Sequence, residues 1–76
     1  MVSVHSKNIV GSRVREARTQ QALSQDDLSG RLAKVGVPID RAGIAKIENS
    51  MRRVFDFEVR AFSRVFKKPL AWFFGE

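Results

Sequence analysis

The chain lacks cysteine altogether and carries one histidine, one tryptophan and two prolines in 76 residues. Without cysteine there is no disulfide framework, no thiolate nucleophile and no cysteine-ligated zinc or iron–sulfur centre. His5 stands alone, which excludes a histidine metal cluster and the usual serine–histidine–aspartate chemistry. No metal or other cofactor is expected. No apolar run approaches the ~20 residues of a membrane span. The opening MVSVHSKN lacks the apolar stretch of a signal peptide. The expectation is a soluble, cytoplasmic protein with no membrane partner.

Acids are also scarce. Eight Asp+Glu face fourteen Lys+Arg, for a net charge of +6 and a pI near 10.9. A pI above about 9 on a small domain is the footprint of a polyanion binder. The charge is unevenly spread. Residues 41–53 hold Arg41, Lys46, Arg52 and Arg53 against Glu48 alone. Residues 7–18 hold Lys7, Arg13, Arg15 and Arg18 against Glu16, and residues 60–68 hold Arg60, Arg64, Lys67 and Lys68 with no acid. Residues 24–40 are net acidic, with Asp26, Asp27 and Asp40 against Arg31 and Lys34.

Apolar residues make up 43% of the chain, enough for one core and too few residues for a second domain. A domain this small buries only about 60% of its unfolded surface. The reading is a flexible N-terminal arm over 1–7 and a single all-α domain over 8–76, since strict period-2 alternation never persists. Val10, Val14, Ala17 and Gln21 form a stripe that predicts a first helix over 8–21. Ser24 is positioned to cap a second helix, with Asp27 completing a capping box and Leu28, Leu32 and Val35 facing inward. Gly36 and Pro38 then stop it. Asp40 is positioned to cap a third helix reaching Asn49. At about 100° per residue, Arg41, Ala42, Ala45, Lys46 and Asn49 share an arc of roughly 140°. Ile44 and Ile47 lie on the other side with Gly43, where a close backbone approach is expected. Asp56 is expected to cap a fourth helix over 57–67 carrying Val59, Phe62 and Phe66 inward. Pro69 opens a short fifth, from Leu70 to about Phe74.

A capped second helix followed by a small-residue, basic third helix is the pattern of a helix-turn-helix DNA reader. The stretches LSQDDLSGRL (23–32), IDRAGIAKIENSMRR (39–53) and LAWFF (70–74) resemble the phage repressor/Cro-like (XRE-type) helix-turn-helix family. The resemblance covers about residues 9–75. It implies a compact, five-helix, λ-repressor-like fold, a bacterial or phage type of protein, and a sequence-specific double-stranded DNA-binding transcriptional regulator. Repression by occlusion is the expected mode. The partner would be a palindromic operator bound by a homodimer, whose two recognition helices lie about 34 Å apart.

The resemblance assigns roles residue by residue. Gln25 would meet a phosphate or brace the recognition helix. Arg41 would make a bidentate contact to guanine. Ala42 and Ala45 would touch thymine methyls or permit close approach, and Lys46 would reach a base or a phosphate. Asn49, Arg52 and Arg53 would grip phosphates. Arg18 and Glu48 would form a structural ion pair between the first and third helices. Leu70, Trp72, Phe73 and Phe74 would cap the core and supply a dimer seam. The pattern departs from the family in three places. The connection AKVGVPID (33–40) is about five residues longer than the compact turn, Ser29 stands in place of alanine, and Gly43 stands in place of serine or threonine.

Two other function classes are weaker. A protein-interaction module, such as an antitoxin or oligomerisation domain, would expose large apolar anchors on the third helix. An enzyme would need a nucleophile–base set, whereas Asp26, Asp27, Asp40 and Asp56 read as caps. Single-stranded RNA binding is disfavoured because the aromatics fall on inward stripes.

Overall fold

A computed structural model describes residues 6–75 of the chain. Four α-helices follow one another: α1 (Gly11–Gln20), α2 (Gln25–Lys34), α3 (Arg41–Glu48) and α4 (Asp56–Phe66), closed by a 3₁₀ segment, Leu70–Phe74. Among the described residues there is no strand. The expected fifth helix is thus a 3₁₀ segment. Trp72 N–H donates to the Pro69 carbonyl at 3.1 Å and Gly75 N–H to the Trp72 carbonyl at 3.2 Å, both three residues back. Gly75, at φ +81°, ends the segment before an α-helical ladder can build. Of the expected N-terminal arm, residues 1–5 lie outside the described residues.

Local chemistry accounts for the two central helices. Ser24 accepts the Asp27 N–H at 2.9 Å, and the Asp27 carboxylate accepts the Ser24 N–H at 2.9 Å. That reciprocal pair holds the Asp27 carboxyl below its usual range, chiefly through the Ser24 N–H. Asp40 caps α3 by accepting the Gly43 N–H at 2.7 Å. Gly36 ends α2 at φ +80°, with its N–H on the Ala33 carbonyl and the Val37 N–H on the Leu32 carbonyl. This is a Schellman stop, in which glycine occupies the left-handed position. Because α2 stops at Lys34, Val35 falls out of phase and is exposed, contrary to its expected inward place. The lengthened connection is therefore loop, and Ser29 tacks it down through its hydroxyl to the Ile39 carbonyl at 2.8 Å.

The first and fourth helices differ from expectation at their starts. α1 begins at Gly11 because the Asn8 side chain accepts the Gly11 N–H at 2.8 Å, leaving Ile9 exposed. Gln21 lies past the helix on the surface, and its amide donates to the Phe66 carbonyl at 2.9 Å. α4 begins at Asp56, one residue earlier than expected, and its start is secured by Glu58, which accepts the Phe55 N–H at 2.9 Å. The Asp56 carboxylate accepts only the next N–H, that of Phe57.

The core lies between all four helices. Val14, Leu28, Leu32, Ile44 and Ile47 are fully buried. Phe62, Phe66 and Phe73 form one aromatic cluster with ring centroids 6.3 to 6.4 Å apart. Burying each such side chain contributes about 1.5–3 kcal/mol. The close backbone approach expected at Gly43 occurs at Gly11 instead, where any Cβ would overlap the Ile47 carbonyl oxygen. At Gly43 a Cβ would meet the side chains of Ile39 and Asp40. The Cα radius of gyration, 11.2 Å, matches a close-packed chain of this length. No described helix is long and apolar enough to cross a membrane.

Candidate nucleic-acid interface

Helix α3 packs against α1 and α2 through Ile44 and Ile47, both fully buried. Those two residues set its rotation. Arg41, Ala42, Lys46 and Asn49 are exposed and Ala45 is half-buried. The outward side is therefore polar and basic at its ends and small in its middle. A narrow, low surface of this kind can approach a groove closely. Arg41 reaches back toward α2, with Nη1 3.9 Å from Asp26 Oδ2. Both side chains are about 70% exposed, so the pair contributes little and leaves the guanidinium available.

At the other end of α3, Glu48 is buried and gathers the surrounding polar groups. Arg18 donates to it twice, Nε to Oε2 at 2.7 Å and Nη2 to Oε1 at 3.0 Å. Arg18 Nη1 also reaches the Leu23 carbonyl at 2.8 Å, tying α1 to the start of α2. Gln25 Nε2 and Arg15 Nε each lie 3.3 Å from Glu48 Oε1. Arg15 Nη2 then donates to Asn49 Oδ1 at 3.0 Å. Burial pushes the Glu48 carboxyl up, but the hydrogen bonds from Arg18 and then Gln25 outweigh it, so it sits below the usual carboxylate range. The same pairing raises Arg18. Glu48 thus brings Gln25 and Asn49 together with Arg15, to which the family resemblance assigns no role. The sequence signal for Arg15 is its spacing: it precedes Arg18 by three, which puts both on one face of α1.

Arg52, expected to hold a phosphate, has a structural partner as well: both of its terminal nitrogens lie 2.9 Å from Glu58, and Nη1 also donates to the Arg53 carbonyl. Glu58 is buried, and a desolvated carboxylate demands a cation. Burial alone would raise the Glu58 carboxyl. Arg52 and the Phe55 N–H bring it below the usual range, and Arg52 is raised in turn. Arg53, next in the loop, is exposed.

The C-terminal aromatics divide. Phe73 is fully buried, so it belongs to the core and not to a dimer seam. Trp72 is half-buried, with its ring under Arg13 (4.9 Å) and Lys68 (4.4 Å). Its ring is thus partly engaged within the monomer and partly open to solvent. Leu70 stays exposed beside Phe57, and Phe74 beside Ile9. The aromatics are not all inward: Phe55 and Phe57 stack at the surface, centroids 5.6 Å apart. Among the described residues, no three Asp, Glu or His side chains cluster as metal ligands.

Comparison with known proteins returns no match, whether to a protein-family model, a curated sequence or a solved structure.

Proposed function

We propose that this chain is a λ-repressor-like, sequence-specific double-stranded DNA-binding regulator of the repressor/Cro (XRE-type) helix-turn-helix kind. Helix α3 enters the major groove, with Arg41 reading a base edge and Lys46 reaching a base or a phosphate. Gln25, Asn49 and Arg53 hold the backbone. Repression follows from occupying the site, and no catalytic step is assigned. The observation that carries this reading is the division of α3. Its buried isoleucines face the core, and its outward side presents cations around two alanines.

The operator would be palindromic and bound by two copies. The apolar face for that contact is Ile9, Phe57, Leu70 and Phe74, which are between 47% and 53% exposed. Exposed apolar side chains grouped on a small protein mark interfaces. The same face supports the second reading, an interaction module with another protein as partner.

Selection from random duplex DNA, followed by a salt titration, tests both. The DNA reading predicts a consensus with two-fold symmetry and an affinity that falls steeply with salt. Weak retention indifferent to sequence would replace it with the interaction module.

A further inference from the structure

A shallow groove open to solvent runs beside α3. Lys7, Lys46 and Arg53 line it together with Arg52, Ala42 and Gly43. Lys7 precedes the first helix, yet its backbone is fastened there. The Lys7 N–H donates to the Ser50 carbonyl at 2.9 Å. The Asn8 amide donates to the Ile47 carbonyl at 3.1 Å and the Arg52 carbonyl at 2.8 Å, while its oxygen accepts the Gly11 N–H. The incoming chain is thus laid across the end of α3, and Ser50, at φ +59°, turns the backbone to receive it.

The charge in this groove is poorly compensated. Asp40 is the carboxylate at its edge, and one oxygen of Asp40 is committed to the α3 cap. Arg52 is held by Glu58, which leaves Lys7, Lys46 and Arg53 as the cations able to meet a ligand. Three cations along an open groove match successive phosphates of a chain better than one enclosed anion. An enclosed anion site would aim buried, unpartnered donors inward, and among the described residues there are none.

We propose that this groove binds the phosphodiester backbone of one DNA strand while α3 reads the bases, and that Lys7 is a phosphate contact. The proposal rests on the regulator reading given above. A fastened backbone makes the contact more effective, because less freedom is lost on binding. Asn8 is then a positioning residue for Lys7 as well as a cap for α1.

The test is a salt titration of binding to the selected duplex and to a scrambled duplex, comparing wild type, Lys7→Gln and Lys7→Arg. Lys7→Gln should reduce the log–log slope by about 0.9 on both duplexes, and Lys7→Arg should restore it. Between 50 and 200 mM salt this shrinks the affinity loss by about 3.5-fold. Thermal melting should not move, because the Lys7 side chain is exposed. An unchanged slope for Lys7→Gln, with Arg41→Ala still relaxing base preference, overturns the groove assignment and leaves the regulator reading standing. If wild type retains neither duplex, both fall.

Discussion

Among the described residues Glu48 and Glu58 are the two buried acids, and each accepts two hydrogen bonds from a single arginine, Arg18 and Arg52 respectively. They differ in what else they hold. The Glu58 clamp is closed: Arg52, a loop carbonyl and the Phe55 N–H satisfy one another at the start of α4. The Glu48 clamp is open. Beyond Arg18 it takes Gln25 from α2 and Arg15 from α1, and through Arg15 it orients Asn49. The same ion pair chemistry serves to secure a loop in one case and to organise a polar surface in the other. How free an arginine is to meet a ligand therefore depends not on its charge alone but on how many of its donors a buried partner holds.

The largest test of this contrast is Glu48→Ala. It strands the mostly buried Arg18 and releases three helices from one another. The cost should be about 3–5 kcal/mol, against a total stability of about 4–11 kcal/mol for a domain of this length. Chemical denaturation should show stability lowered by that amount, enough to unfold the domain if its total lies at the low end of the range, and not a protein of unchanged stability with altered base preference. Arg52→Ala should come next, at about 2–3 kcal/mol, because Arg52 is more exposed than Arg18 and solvent screens part of its pair. Its neighbour separates the roles. Arg53→Ala should leave stability within about 0.5 kcal/mol and reduce the salt slope of DNA binding by about 0.9. If Arg53 and Arg52 behaved alike in both assays, the distinction between open and closed clamps would be lost.

Acid should act on both clamps. Each carboxyl titrates lower when folded than the ~4.3 of an unfolded glutamate. The unfolded chain therefore takes up protons first. The stabilisation is present in full above that unfolded value and disappears as pH falls through the folded one. Melting temperature should be flat from neutral pH to about 5 and decline below it, and Glu58→Gln should show a shallower decline. A change of the opposite sign lies away from both clamps. Gly30, exposed in α2, has open space where a Cβ would sit, so Gly30→Ala should stabilise by about 1 kcal/mol without altering either pair.

Features set by neighbours in the chain were legible in the sequence. The Ser24–Asp27 box, the Asp40 cap and the Gly36 stop each depend on residues within four positions. The isoleucines of α3 followed from its period. Features set by distant backbone were not. The pairing of Arg52 with Glu58 was not legible, because no helical period relates the loop after α3 to the start of α4. The need for a bare Cα at Gly11 arises only when the Ile47 carbonyl is beside it. The C-terminal aromatics could not be sorted by pattern, since a five-residue 3₁₀ segment is too short to show a period. The fastening of Lys7 and Asn8 to the end of α3 likewise depends on contacts about forty residues away.

The central claim is that the outward side of α3 meets the duplex. Amide chemical-shift mapping during titration with the selected DNA reads this directly. The account predicts that the largest changes fall on residues 41–53 and near Lys7 and Gln25. Changes confined to Phe57, Leu70 and Phe74, with α3 undisturbed, would contradict it.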